Sequence, residues 1–82
     1  MNVQEQVGLA VQSLRRARGL SQDELAHRAG IDQAYLSRIE TGQTDIGIRL
    51  LVRLSRALGV HPIQIIVSID VSRESNAQED ST

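Results

Sequence analysis

The stretch SQDELAHRAGIDQAYLSRIE, residues 21–40, decides the fold of this chain. Ser21 and Glu24 have the spacing of a capping box, a helix start in which each side chain bonds the other residue's backbone amide. Gly30 ends that helix after about two turns. Asp32 is a plausible N-cap for another helix directly behind it. The sequence therefore predicts two short helices that meet across a turn of about three residues.

Two longer amphipathic helices flank this pair. The first covers residues 3–18 and can be capped by Asn2 with Glu5, and the fourth covers residues 47–58. A glycine follows each of the four predicted helices, at Gly19, Gly30, Gly42 and Gly59. The apolar stripes comprise Val3, Val7, Ala10, Val11, Leu14 and Ala17 in the first helix and Ile48, Leu51, Val52, Leu54 and Leu58 in the fourth.

The segment after Pro62 fits two structures. Its β-branched residues alternate at a period of two, which favours a strand. The alternating residues are Ile63, Ile65, Val67, Ile69 and Val71. In the alternative, Pro62 is the first residue of a short fifth helix with Ile63, Ile66 and Val67 on one face. Residues 72–82 are polar and acidic and are predicted to form a disordered tail.

Composition narrows the class of protein. With 82 residues the chain makes one domain with a modest core, so a self-paired surface is expected. It has no cysteine and only two isolated histidines, His27 and His61, so we expect no disulfide, no metal site and no cofactor. The sequence shows neither a secretion signal nor an apolar run long enough for a membrane span. The expected location is the cytoplasm, without a membrane partner.

Charge is unevenly distributed along the chain. The formal net charge is −1, but the residues from Glu74 onward include acids and no base, so the preceding part is mildly basic. All nine cations are arginines, whose planar guanidinium groups suit phosphates and guanine edges, although genomic base composition explains the bias equally well. Arg49, Arg53 and Arg56 share one side of the fourth helix, where a solvated face and a phosphate track are the alternatives.

The helix pair of residues 21–40 points to DNA. Two short helices joined by a tight turn with a glycine form the unit that places its second helix in the major groove. Four blocks of sequence resemble the Cro/repressor-like (XRE) helix-turn-helix family in order and spacing, over about residues 9–66. These blocks are Gly19-Leu-Ser-Gln-Asp-Glu-Leu-Ala26, Ala29-Gly30-Ile31, Tyr35-Leu36-Ser37-Arg38-Ile39-Glu40-x-Gly42 and Leu54-x-x-Ala57-Leu-Gly-Val60.

The resemblance implies roles for individual residues. Gln22, the first residue of the second helix, would contact a backbone phosphate and steady Gln33, which opens the recognition helix. The residues that would read base edges are Gln33, Ala34, Ser37 and Arg38. Those that would contact phosphates are Gln22, Tyr35, Thr41, Gln43 and Thr44. Arg15 and Glu40 stand where some family members form an ion pair between the first and third helices.

The sequence departs from the family pattern in two places. Relatives usually have Ser or Thr where Gly47 stands, and often Pro at the position of Ile46, so the start of the fourth helix is less firmly capped here. The strand-like carboxyl end replaces the more polar fifth helix of many members, which bears on the geometry of a dimer.

Together these observations predict a mainly α, compact Cro/repressor-like domain of four to five helices over residues 1–71, with a C-terminal dimerisation segment at residues 63–71. The predicted interface consists of Ile63, Ile65, Val67, Ile69 and Val71. The predicted function is that of a double-stranded DNA-binding transcriptional repressor, not an enzyme, which acts as a homodimer on a palindromic operator. The alternatives are a restriction-modification controller, an antitoxin with a toxin as partner, and a protein-interaction module without DNA binding.

Overall fold

The computed structural model describes residues 1–73, and the greater part of the predicted tail, residues 74–82, lies outside the described residues. The described chain is mainly helical, as the sequence predicts. Its helices are α1 (Val3–Ala17), α2 (Gln22–Ala29), α3 (Gln33–Glu40), α4 (Ile48–Leu58) and α5 (Ile63–Ile66), followed by a 3-10 turn at Val71–Arg73. None of these helices is long and apolar enough to cross a membrane.

The predicted capping boxes fix two of the helix starts. The Asn2 side chain accepts a hydrogen bond from the Glu5 amide at 2.8 Å, and the Glu5 carboxylate accepts one from the Asn2 amide at 2.9 Å. Ser21 and Glu24 make the same reciprocal pair at the start of α2. The hydrogen bonds from Ser21 hold the pKa of the exposed Glu24 carboxyl below its usual range, because they stabilise its charged form.

The turn between α2 and α3 depends on Gly30. Gly30 has a φ of +71°, a left-handed conformation that glycine adopts without a steric penalty from a Cβ. Asp32 occupies the N-cap position of α3, as predicted, but its side chain makes no capping hydrogen bond. Gly47 likewise gives α4 no side-chain cap, as its departure from the family pattern indicates.

The core lies where α1 and α4 cover the α2–α3 pair. α1 packs mainly against α3, α4 packs mainly against α2, and α5 closes one end against α1. The buried apolar side chains are Val11, Leu25, Ala26, Ala29, Leu36, Ile39, Leu51, Leu54, Leu58 and Ile65. The inner faces of α2 and α3 contribute five of these residues. Packing of these residues in the core therefore fixes the position of α3 and leaves its outer face directed away from the core.

The strand prediction for the carboxyl end is wrong, and the helical alternative is confirmed for residues 63–66. α5 buries Ile65 completely in the core, whereas Ile63, Ile66 and Val67 are 58%, 45% and 74% exposed. Three- and four-residue spacing places those three side chains on one outer face of a helix. A strand would place Ile63, Ile65 and Val67 on the same face. In the helix that packs against α1, Ile65 points into the core and the other two point outward. The residues that the structure describes contain no strand.

Gln6 ties the carboxyl segment to α1. Its side chain is buried, its Nε2 donates to the Asp70 carbonyl oxygen at 3.1 Å, and its Oε1 accepts from the Asp70 amide at 2.6 Å. The same Nε2 lies 3.2 Å from the Met1 carbonyl oxygen, which it also bonds. No local pattern indicates this anchor, because its partners are 64 residues apart in the sequence.

A buried ion pair links α1 to the end of α3. Arg15 Nε donates to Glu40 Oε2 at 2.7 Å and Arg15 Nη2 donates to Glu40 Oε1 at 3.1 Å, which makes the pair bidentate. The third donor, Nη1, bonds the Leu20 carbonyl oxygen at 2.8 Å. The bond to Glu40 raises the pKa of the Arg15 guanidinium. This pair, which the family resemblance implied, is therefore present and well paired.

Gly8 allows α1 to approach the carboxyl end of α3. A Cβ atom on Gly8 would lie 2.8 Å from the Glu40 carbonyl oxygen and would overlap the Ile39 carbonyl oxygen. Backbone oxygens cannot turn away as a side chain can, so the two helices would have to separate. The close approach also keeps Arg15 within reach of Glu40.

We predict that Gly8→Ala destabilises the fold by about 1–3 kcal/mol, the usual cost of overpacking a well-packed interface. In an open helix the same change would stabilise by about 0.4–1 kcal/mol. Urea unfolding followed by circular dichroism measures the difference. Gly47→Ser is the matched control, because the space around Gly47 is open and a serine can cap α4. It should raise stability slightly, and a stabilising Gly8→Ala would contradict the close approach.

We predict that Arg15→Met lowers the free energy of unfolding by about 3–5 kcal/mol, because it leaves the Glu40 carboxylate buried without its cation. The double variant Arg15→Met/Glu40→Leu removes both charges and should recover a large part of that loss. Thermal and urea unfolding of the three chains test this. A double variant no more stable than the single one would show that packing, and not the orphaned charge, dominates.

Candidate nucleic-acid interface

The outer face of α3 carries the four predicted base-reading residues. Gln33, Ala34 and Arg38 are exposed and Ser37 is half-buried. Leu36 and Ile39 of the same helix lie in the core, so the four polar or small residues share the side that faces away from it. The structure thus brings the predicted residues together on one accessible helix face, with the dimensions of an element that fits the major groove.

Arg38 is oriented by Tyr35. The guanidinium carbon of Arg38 lies 5.5 Å from the centroid of the Tyr35 ring, within the range of a cation–π contact. Tyr35 is half-buried and packs against the core. A long, mobile arginine therefore has a fixed aromatic surface beside it, which reduces the side-chain entropy that a base contact would cost.

Gln22 is held by the buried ion pair. Its Nε2 donates to Glu40 Oε1 at 3.0 Å, so Glu40 accepts bonds from both Arg15 and Gln22. The resemblance implied that Gln22 steadies Gln33, but the described hydrogen bonds place its amide nitrogen on Glu40 instead. The amide oxygen cannot accept from a phosphate, so a phosphate contact by Gln22 would use the remaining Nε2 hydrogen.

The loop after α3 is ordered by its own polar side chains. Thr41 donates from its hydroxyl to the Ser37 carbonyl oxygen at 2.9 Å, and the Gln43 side-chain amide donates to the Thr41 hydroxyl oxygen at 2.9 Å. The Thr44 hydroxyl lies 3.3 Å from the Asp45 carbonyl oxygen, to which it donates. These bonds fix the three predicted phosphate-contacting residues of the loop beside the carboxyl end of α3.

Arg53 of α4 has a role that sequence reasoning missed. Arg53 Nη2 donates to the Gly30 carbonyl oxygen at 3.1 Å, so it satisfies a backbone acceptor at the end of α2. Arg49 and Arg56 are exposed. This bond joins residues 23 positions apart in the sequence, so only the folded structure reveals it.

Within residues 1–73, no group of histidine, cysteine or acidic side chains could hold a metal ion. The α3 face offers hydrogen bonds and one apolar contact. Gln33 can bond adenine N6 and N7, Arg38 can bond guanine O6 and N7, and the Ala34 methyl can contact a thymine methyl.

The helix-turn-helix region has counterparts in known proteins. The helix-turn-helix family HTH_3 matches residues 11–65. An uncharacterized HTH-type transcriptional regulator, y4dJ of Sinorhizobium fredii (strain NBRC 101917 / NGR234), is 36% identical over 70 residues, which cover 85% of this chain and 91% of that protein.

Solved structures share the fold. The restriction-modification controller protein C.AhdI from Aeromonas hydrophila has a TM-score of 0.73 at 33% identity and covers 74% of this chain and 92% of its own. The clp gene regulator ClgR from C. glutamicum has a TM-score of 0.82 at 26% identity, with coverage of 93% and 99%. The chain belongs to the HTH_3 helix-turn-helix family of DNA-binding transcriptional regulators.

Proposed function

We propose that the chain is a repressor that binds a palindromic operator as a homodimer, with one α3 helix in each major-groove half-site. The observation that carries the proposal is the accessible α3 face, set on a core and on the Arg15–Glu40 pair. Two-fold symmetry would place the two recognition helices about 34 Å apart, one turn of DNA. Occupation of a promoter by this dimer would exclude RNA polymerase.

In this proposal Gln33, Ala34, Ser37 and Arg38 read the sequence of the operator. Gln33 and Arg38 carry the discrimination, because bidentate contacts to a purine are the most selective that a side chain makes. Ala34 and Ser37 lie between them and allow the helix to approach the bases closely. Support comes from their shared exposure and from the Tyr35 ring beside Arg38.

Neutral side chains around α3 would fix the domain on the phosphate backbone. The proposed contacts are Gln22, Tyr35, Thr41, Gln43 and Thr44. Gln22 stands at the first turn of α2 and the three loop residues stand at the other end of α3, so the contacts would flank the recognition helix on both sides. Such contacts set register and orientation without reading sequence.

An apolar surface on α4 and α5 favours self-association. Ile48 is 71% exposed, and it lines with Ile66 a cleft of about 180 Å³ between α1, α4 and α5. Ile63 and Val67 extend this surface along the outer face of α5. A cluster of large exposed apolar side chains is typical of an interface between subunits, and a two-fold contact would bury the same surface of both copies.

The structure changes the membership of the proposed interface. Ile65 belongs to the monomer's own core and Ile69 is half-buried, so neither is an outward contact. Ile63, Val67 and Val71 remain, and Ile66 joins them. A strand followed by a disordered tail would favour the antitoxin alternative, and that support is absent because residues 63–66 are helical.

We predict that Gln33→Ala and Arg38→Ala each cost about 1–3 kcal/mol of operator binding while the fold stays intact. The operator is first selected from random DNA, and fluorescence anisotropy then compares it with unrelated DNA. Tyr35→Phe is the control: it should weaken both DNAs equally, since a phosphate contact carries no sequence information. Unchanged operator affinity in both alanine variants would refute the assignment of the α3 face.

We predict that Val67→Asp yields folded monomers, because it places an unpaired charge in the proposed interface. Gln64→Asp is the matched control, since Gln64 is exposed on α5 outside the apolar face and should leave the dimer intact. Monomers of Val67→Asp should also lose most operator affinity, because one bound half-site no longer raises the effective concentration of the other. Sedimentation velocity decides this, and a folded Val67→Asp dimer would eliminate the α5 interface.

A further inference from the structure

Two adjoining grooves between α2 and α4 are lined by arginines. Arg28, Arg56 and Ala57 line both grooves. Arg53 completes the first groove beside the helix-turn-helix turn, and Arg18 completes the second at the carboxyl end of α1. The two grooves, which we call the arginine grooves, thus gather four guanidinium groups, and no acidic side chain is among the residues that line them.

The four arginines differ in how their donors are used. Arg53 bonds the Gly30 carbonyl oxygen at 3.1 Å, and Arg18 lies 3.5 Å from the Gly59 carbonyl oxygen as a weaker donor. Arg28 has the Glu24 carboxylate in electrostatic reach, one turn earlier on the same helix. Among residues 1–73, the Arg15–Glu40 ion pair involves none of these four arginines, so the positive charge of the arginine grooves is offset only in part, by Glu24 beside Arg28.

The part of this chain that complements the arginine grooves is its carboxyl segment. Residues 74–82 contain Glu74, Glu79 and Asp80 and no basic residue. The remaining residues of the segment are small or polar, so its binding chemistry is that of a carboxylate-bearing chain and not of an apolar helix. Arginine forks bind carboxylates well, because their paired donors match the two oxygens.

The carboxyl segment is long enough to reach the groove beside Arg18. Gln6 fixes Asp70 beside the amino-terminal half of α1, and Arg18 lies about 18 Å further along that helix at the ordinary helical rise. Because residues 71–73 form a 3-10 turn, the extendable chain runs from Arg73 to Glu79 and spans roughly 20 Å. Carboxylates of the segment can therefore meet the second groove without any change in the described fold.

We propose that residues 74–82 bind the arginine grooves of their own chain through Glu74, Glu79 and Asp80. Each contact at the surface is weak, worth about 0–1 kcal/mol. The tether at Asp70 makes the contact intramolecular, so a high effective concentration replaces the entropy that a free acidic peptide would lose. The contact requires charge and not secondary structure, and it would neutralise part of the basic surface that adjoins the helix-turn-helix turn.

Paramagnetic relaxation tests this in the full-length protein. Because the chain has no cysteine, Ser81→Cys gives one site for a nitroxide label. We expect the label to broaden the amide signals of Ala57 and Gly59, which line the grooves, more strongly than that of Gly42 near the first turn of α1. The broadening should disappear in about 1 M salt, where the screening length is roughly 3 Å.

Two sets of variants complete the test. Glu74→Gln/Glu79→Gln/Asp80→Asn, and separately Arg28→Gln/Arg56→Gln, should each abolish the broadening of Ala57 and Gly59. Arg49→Gln is the matched control, an exposed arginine of α4 outside both grooves, and should leave the broadening unchanged. Broadening that survives both sets, or that is absent from the parent protein, overturns the proposal. So does broadening confined to mixtures of labelled and isotope-enriched chains, since that would place the segment on a second copy.

Discussion

The Arg15–Glu40 ion pair sits where four parts of the fold meet. Arg15 belongs to α1, its third donor bonds Leu20 in the linker before α2, Glu40 is the last residue of α3, and Gln22 joins from the first turn of α2. Two buried charges are costly unless their geometry and hydrogen bonds are complete. Here both carboxylate oxygens and all three types of guanidinium nitrogen have partners. The pair therefore tolerates few other arrangements of α1, α2 and α3.

This constraint explains the structural roles of Gly8 and Gln22. Gly8 lets the α1 backbone come close to the carboxyl end of α3, where Arg15 bonds both oxygens of Glu40. Gln22 is then fixed by the same carboxylate, so the amino end of α2 and the carboxyl end of α3 share one anchor. The distance between the two proposed phosphate-contacting regions is thereby set by the core, which favours a rigid fit to a DNA backbone.

Local chemistry explains what could be predicted from the sequence. The capping boxes and the glycine stops act over three or four residues, so the first four helices followed from spacing, whereas the residues assigned to the face of α3 came from the family resemblance. Residues 63–71 could not be decided this way, because a run of β-branched residues satisfies a strand and a short helix alike. The choice comes from Ile65 in the core and from Gln6, whose partner Asp70 is 64 residues away. The Gln22–Glu40 bond was missed for the same reason, since its partners are 18 residues apart.

The distribution of charge sets the character of the proposed DNA binding. Every proposed phosphate contact is a neutral side chain, and Arg38 is the one cation among the proposed base readers. The logarithm of the DNA-binding constant falls linearly with the logarithm of the salt concentration. The slope is about −0.9 for each phosphate that a cation of the protein neutralises. Neutral donors orient the domain without releasing counterions, so their contribution persists as salt rises. A chain with a formal net charge of −1 can bind DNA on these terms. In the proposed complex, the contacts of α3 in the major groove and dimerisation would contribute more to the affinity than long-range electrostatic attraction.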